Sequence, residues 1–381
     1  MPATLGSSRR NIIVFSPPLD VLLIFTLTTP VVGWFSQKVR LKSLCGIYAV
    51  IGLAVSSYES YKLFIHVSPE PELIPLKAEP FESCLRIDGL SIFMALIFIF
   101  LGFLAALYSI KYMERDSGIT LYYTLLLAMI CGLLGIVFSG DFFTLFVFWE
   151  LMCITSYMLV AFRKQYWEPI EAGLKYLVMS SAGSATILLG LSILYGLAGT
   201  LNFAELATIA TQMSNIWSSI SLILIIAGFG VKAAIFPFHA WLPDAHPAAP
   251  TPISALLSGI VIKAGVYAVL RSLFMIFLPV NFSWQIAIAI ISILTMSFGN
   301  LAALLQDDIK RLLAYSSIAQ MGYIFFAIST AANSSALTIG LTAALLHVLN
   351  HALMKGLLFL CAGAFIYRAG TRSLKTRRNR T

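Results

Sequence analysis

The sequence predicts an all-α polytopic membrane protein of about eleven transmembrane helices, and three observations carry that reading. Hydrophobic residues make up 59% of the 381 and charged residues 11%, against about 25% charged in soluble domains. Apolar runs recur that are long enough to cross a hydrocarbon core about 30 Å thick. The basic residues gather in alternate loops.

The expected spans are 17–36, 43–65, 89–110, 119–139, 142–162, 174–198, 216–238, 252–279, 283–305, 311–331 and 336–367. Each is an apolar run bounded by charged, Pro, Gly or Asn-containing turns. The segment 200–213 reads as an interfacial helix or a loop. No stretch between spans is long enough for a soluble catalytic domain. The longest polar loop, 66–88, is rich in Pro and Glu (Pro69, Glu70, Pro71, Glu72, Glu79, Pro80, Glu82) and reads as an exposed cap. Residues 1–15 lack the length and cleavage site of a signal peptide, so the first span is read as a retained helix.

Positive charge gives an orientation. Numbering the loops alternately, one side collects Lys38, Lys42, Lys111, Arg163, Lys175, Lys310, Arg311 and the tail from Arg368 to Arg380, among others. The other side holds only Arg9, Arg10, Lys62, Lys77, Arg86 and Arg271. The expectation is an inner (cell) membrane protein with its N-terminus outside and its C-terminus in the cytoplasm. The net charge of +8 then follows from topology and does not indicate nucleic-acid binding. The basic tail is read as a solvated segment, with contact to anionic lipid as the alternative.

Five scattered cysteines form no CxxC pattern, which argues against metal or iron–sulfur ligation. No Gly-rich phosphate loop, catalytic triad or dinucleotide fingerprint is present. No cofactor and no metal is therefore expected in this chain.

Three lysines fall inside the spans: Lys232, Lys263 and Lys355. Each costs roughly 3 kcal/mol or more at mid-membrane. One acid, Glu150, lies well inside a span. Burial disfavours both charged forms, so a Glu and a Lys brought together or drawn apart exchange protons at neutral pH. A structural ion pair is the plain alternative. Pro237 follows Lys232 by about one turn and breaks a helix where no water repairs it. Such discontinuous helices build ion sites in transporters. Pro243 follows the break, and the prolines beyond it, Pro247, Pro250 and Pro252, read as an inter-helix loop.

His347, His351 and Lys355 are spaced four apart and line one helix face, suited to a proton relay or to packing. A zinc site there lacks a neighbouring carboxylate. His239 and His246 flank the break, as a proton uptake point or as loop caps.

Two long runs, Gly228–Pro247 and Pro252–Tyr267, with Asp307–Tyr323 and His347–Lys355, resemble the antiporter-like subunits of complex I. Mrp-type Na⁺/H⁺ antiporter subunits and membrane subunits of energy-converting hydrogenases share that family. The resemblance covers residues 85–372. It implies that Glu150 is the family's glutamate on the fifth helix, Lys232 its partner on the broken seventh, and Lys263 the central lysine of the eighth. The polar stripe on the eleventh helix continues the axis. It implies two inverted five-helix repeats. Residues 1–118 would then hold helices 1–3 with the acidic external loop. A complete first repeat would span 119–279 and a partial second one 280–367, ended after its third helix. The basic tail would be 368–381. The implied function is a proton- or cation-translocating, non-redox membrane subunit of a complex I-type respiratory or hydrogenase assembly, among other membrane subunits. The alternatives are an Mrp-type Na⁺/H⁺ antiporter subunit and a structural subunit with an incomplete channel.

Overall fold

The computed structural model describes residues 17–39, 41, 43–66, 71–75, 83–209, 216–274, 284–331 and 334–375. The expectations for Arg9, Arg10, Arg40, Lys42, Pro69, Glu70, Lys77, Glu79, Pro80, Glu82 and the tail from Thr376 lie outside these residues.

The chain is a helical bundle. Its helices are α1 (Pro17–Val39), α2 (Leu44–His66), α3 (Gly89–Tyr112), α4 (Ile119–Phe138), α5 (Phe142–Val160), α6 (Trp167–Ala198) and α7 (Phe203–Ile209). Then follow α8 (Ile216–Lys232), α9 (Leu242–Ala248), α10 (Thr251–Leu256), α11 (Ile262–Ser272), α12 (Trp284–Leu304), α13 (Ile309–Thr330) and α14 (Ser334–Ala369). Among the described residues, nine helical spans are long and apolar enough to cross a membrane. The 17-residue α8 is a shorter apolar helix. The protein is a multi-pass membrane protein. The span Thr251–Ser272 is buried throughout and forms the centre, while Ile24, Leu27, Ile290, Leu301 and Leu357 are exposed on outer helices. That inversion is what lipid allows, since it solvates apolar side chains as well as a core does.

The expected loop cap is in part an ordered hairpin. β1 (Glu72–Pro75) pairs antiparallel with β2 (Cys84–Ile87), opposing Leu73 to Arg86. Cys84, Leu85 and Ile87 are buried, so this side of the loop packs on the bundle instead of standing in water. Cys84 N–H donates to Asp141, which also caps α5 through Thr144 N–H. The segment 200–213 contains a true helix, α7, with Phe203 and Leu206 fully buried.

The largest departure is at the break. The expected span 216–238 stops at Lys232, where Ala234 turns to a φ of +53° and Pro237 follows in a cis bond. The backbone donors freed there are satisfied within the protein. Ala234 N–H bonds Val231 O at 3.2 Å and Ile235 N–H bonds Gly230 O at 3.2 Å. Phe236 N–H donates to Thr295 Oγ1 of α12 at 3.0 Å. The freed Val231 carbonyl accepts the Trp241 indole N–H at 2.8 Å. The prolines beyond Pro243, expected as loop, for the most part sit in helices. Pro243 and Pro252 occupy first turns, where no N–H is needed. Pro247 lies inside α9.

The span expected over 252–279 is Thr251–Ser272, interrupted by a π-helical turn at Leu257–Val261. Its part beyond residue 274 lies outside the described residues. Gly265 brings α11 onto the broken helix: a Cβ there would meet Ala233 N and Phe229 O, both at 2.8 Å. Both are backbone atoms and cannot swing aside. Gly265→Ala is expected to destabilise the protein by about 1–3 kcal/mol. Gly196→Ala, which meets nothing within 4 Å, should not. Thermal denaturation of the two variants in detergent checks the difference.

Candidate functional site: a buried polar axis

Lys232 is 2% exposed at the last turn of α8. Its ammonium donates to Tyr176 OH of α6 at 2.6 Å and to Ser156 Oγ of α5 at 3.2 Å. The two hydroxyls are also bonded to each other at 2.9 Å. Tyr176 stacks flat on Trp241, with centroids 4.0 Å apart, so the break itself builds one wall of the lysine's cage. Neutral hydroxyls therefore hold this cation.

Glu150 does not touch Lys232. Its half-buried carboxylate accepts a hydrogen bond from Ser184 of α6, and it forms no ion pair within 4.0 Å among the described residues. The reason is placement: Ser156 lies six residues beyond Glu150 on α5, roughly 9 Å along the axis. Buried Cys153 lies between them on that helix. The expected pair is present in the same three-helix layer but apart.

Lys263 is fully buried and donates to the Ser258 carbonyl. That acceptor lies inside the π-helical turn, which loosens the normal helical ladder. Ser258 Oγ meets Ser317 Oγ of α13 at 2.6 Å. Ser317 Oγ bonds Leu313 O at 2.8 Å, and Lys355 of α14 donates to the same carbonyl at 3.1 Å. Between Lys263 and Lys355 thus lie two main-chain carbonyls, those of Ser258 and Leu313, and the hydroxyl pair of Ser258 and Ser317.

The histidines divide. His246 and His351 are fully buried, and neither ring nitrogen of either has a hydrogen-bond partner among the described residues. His246 stacks on Phe359 at 4.5 Å and interacts electrostatically with Lys310, Lys355 and Lys263. His347 bonds Gln320 at 2.8 Å, and its ring lies 6.4 Å from that of His351. His239 packs between Phe236 and Phe298, away from the lysine row. Pro237 lies at the break and contributes no polar atom to the row.

A fourth buried lysine looks like a loop residue in the sequence. Lys310 is 3% exposed, and its ammonium reaches Ala249 O at 2.8 Å and Ser254 Oγ at 3.3 Å. Ser254 Oγ in turn bonds the His246 carbonyl at 2.8 Å. Lys310 also lines a cavity of about 420 Å³ with Tyr112, Arg163, Thr251 and Arg372. Arg372 ties that rim together through Glu168, Asp308 and the Pro247 carbonyl. A periodic signal marks it: Lys310, Ser317 and Ile324 fall seven apart on the buried face of α13.

A second polar cluster lies beyond Lys263 along α11. Arg271, a charge at the outer edge by sequence, is 4% exposed and grips Asp88 with two hydrogen bonds of 2.6 and 2.7 Å. Burial alone would raise the Asp88 carboxyl. The Arg271 bonds and charge, the Ser91 N–H and Arg86 outweigh it and bring it down to about 2.

These features define a class: a multi-pass helical membrane protein with a broken helix and a row of buried lysines. The family described as NADH:quinone oxidoreductase/Mrp antiporter, TM, matches residues 139–380. The N-terminal part of complex I chain 5 matches residues 77–123. F(420)H(2) dehydrogenase subunit N of Methanosarcina mazei is 31% identical over 356 residues, covering 93% of this chain and 71% of that protein. An archaeal membrane-bound sulfane sulfur reductase superimposes with a TM-score of 0.85 at 33% identity, covering 94% of this chain and 72% of the other. The Mrp complex of a Dietzia species does so at 0.83 and 25% identity, covering 94% and 66%. The chain belongs to the proton-antiporter family of NADH:quinone oxidoreductase and Mrp membrane subunits.

Tyr176→Phe removes the shorter of the two acceptors of the Lys232 ammonium. The loss should destabilise the protein by about 1–3 kcal/mol, read as a lowered thermal midpoint.

Proposed function

We propose that the chain is a proton-translocating, antiporter-like membrane subunit of a complex I-type respiratory or hydrogenase assembly. Its own residues carry protons, while partner subunits supply the electron transfer and any cofactor. One observation carries the reading. Lys263 and Lys355 lie in the middle of a bundle on either side of the Ser258–Ser317 hydroxyl pair, each donating to its own main-chain carbonyl, with Lys232 caged by hydroxyls at the adjoining break. Ionisable groups at this depth are rare unless they serve an ion path.

The steps follow from the contacts. Lys310, at the floor of the Arg372-rimmed cavity, takes up a proton. Ser254 and the two open nitrogens of His246 lie between it and the central lysines. Lys263 passes charge toward Lys355 and His351 through Ser258 and Ser317. Lys232 biases this transfer. With Glu150 held away on Ser184, its charge has no carboxylate partner and repels a further cation brought near the break. Closing the Glu150–Lys232 gap lifts that repulsion. The same reading divides the chain into a first repeat over 119–279, which holds the break, and a partial second one over 280–367.

The cavity face carries Lys175, Arg311, Arg372 and Lys375, so the positive-inside rule supports a cytoplasmic location for it. The Dietzia likeness supports a second reading, a gradient-driven Na⁺/H⁺ antiporter subunit. Translocation that requires Na⁺ and proceeds without an electron donor would select it.

Lys232→Ala should lower coupled proton translocation by about tenfold or more while the assembled complex persists in the membrane. Translocation at the normal rate in that variant would end the proposal. For orientation, a cysteine replacing Leu374, with Cys361→Ala to lower the background, should resist an impermeant thiol reagent added to intact cells. It should react in inverted vesicles.

A further inference from the structure

A row of buried ammonium groups that exchanges protons on one side must be closed on the other, or the membrane leaks. The cavity at Lys310 opens the row to one face. Away from it, α11 continues as Lys263, Tyr267 and Arg271, spaced four apart on one face and all at most 4% exposed. This stripe leads to the hairpin. It is either a second proton route or a stop.

The hydrogen bonds decide. Tyr267 OH donates to the Val137 carbonyl at 2.6 Å and accepts Arg271 Nε at 2.7 Å. The next group is a guanidinium, which does not deprotonate in proteins. Its two terminal nitrogens hold both oxygens of Asp88. Arg86 Nε takes Asp88 Oδ2 again at 3.0 Å, and Ser91 N–H takes Oδ1 at 2.9 Å. Asp88 stays ionised across the physiological range because of those partners. The cluster also stitches four elements. Asp88 caps α3, Arg86 belongs to β2, Arg271 to α11, and Val137 lies in the last turn of α4. β2 is itself bridged to the α4–α5 turn through Leu85 and Ser139.

We propose that Arg271, clamped by Asp88 and Tyr267, is an electrostatic plug that closes the Lys263 end of the polar axis toward the hairpin face. A fixed cation there repels protons that reach Lys263, as a pore arginine excludes cations. The plug has meaning only if the axis carries protons, so it rests on the proposed function. Its test is run without turnover, which separates the two.

Vesicles holding the assembled complex, without electron donor, are loaded with a pH-sensitive dye and polarised by a potassium diffusion potential. Arg271→Gln should raise passive proton entry into the lumen about tenfold or more over wild type. Arg271→Lys, which keeps a cation in place, should stay near wild type. Adding Lys263→Ala to Arg271→Gln should return the leak to the wild-type rate, because the breach runs through Lys263. Three results overturn the plug: an assembled Arg271→Gln complex as tight as wild type, an equal leak in Arg271→Lys, or a leak that survives Lys263→Ala. If Arg271→Gln fails to accumulate, Tyr267→Phe decides. In the same passive assay, Tyr267→Phe loosens one of the two clamps and should raise proton entry above wild type by a route that Lys263→Ala closes, and an assembled Tyr267→Phe complex as tight as wild type overturns the plug.

Discussion

A protonated amine buried in a bundle needs an oxygen within hydrogen-bond reach, and hydrocarbon offers none. Four lysines of this chain meet that demand in the same way. Lys232 uses two hydroxyls, Lys263 and Lys355 use main-chain carbonyls, and Lys310 uses one of each. Among the described residues, no carboxylate lies within ion-pair distance of any of the four. A carboxylate would fix each proton in place, while neutral acceptors leave it free to move when a nearby charge changes. The irregular backbone follows from the same constraint. A regular helix spends its carbonyls internally, and the Ser258 carbonyl that Lys263 reaches lies in the π-helical turn, where the ladder is loosened.

The contrast with the two ends of the axis is chemical. Arg271 is locked to Asp88 by two charge-assisted bonds, and Arg372 is tied to Asp308 and Glu168. Arginine sits where carboxylates hold the charge fixed, and lysine where the partners are neutral oxygens. Both arginine clusters also hold distant elements together, so the machinery between them works inside a rigid frame. Gly265 lets α11 and the broken helix approach backbone to backbone, which brings the Lys232 and Lys263 segments together.

Most of the bundle was legible from periodicity and apolar run length. The break was legible too, since Lys232 and Pro237 together make an uninterrupted span too costly in hydrocarbon. The charged residues at span edges were not. Lys310 looks like a loop cation because Asp307, Asp308 and Arg311 stand beside it, and Arg271, late in the apolar run 252–279, reads as a charge at the outer edge. Their spacing from Ser317 and from Lys263 and Tyr267 carried the correct signal, but a flanking charge outweighs one periodic position in a linear count. The prolines beyond Pro243 read as loop because proline ends helices more often than it begins them inside a membrane.

The sequence by itself determined the membrane class, the spans, and the identity of three of the four buried lysines. These depend on local quantities, namely run length, hydropathy and the cost of charge at depth. Only the tertiary structure decided what each ammonium donates to. Ser156 and Tyr176 lie 76 and 56 residues from Lys232, Leu313 lies 42 from Lys355, and Asp88 lies 183 from Arg271. A hydrogen bond is made or lost within about half an ångström. Such distances are set by how the helices pack and are not written in any one segment of the chain.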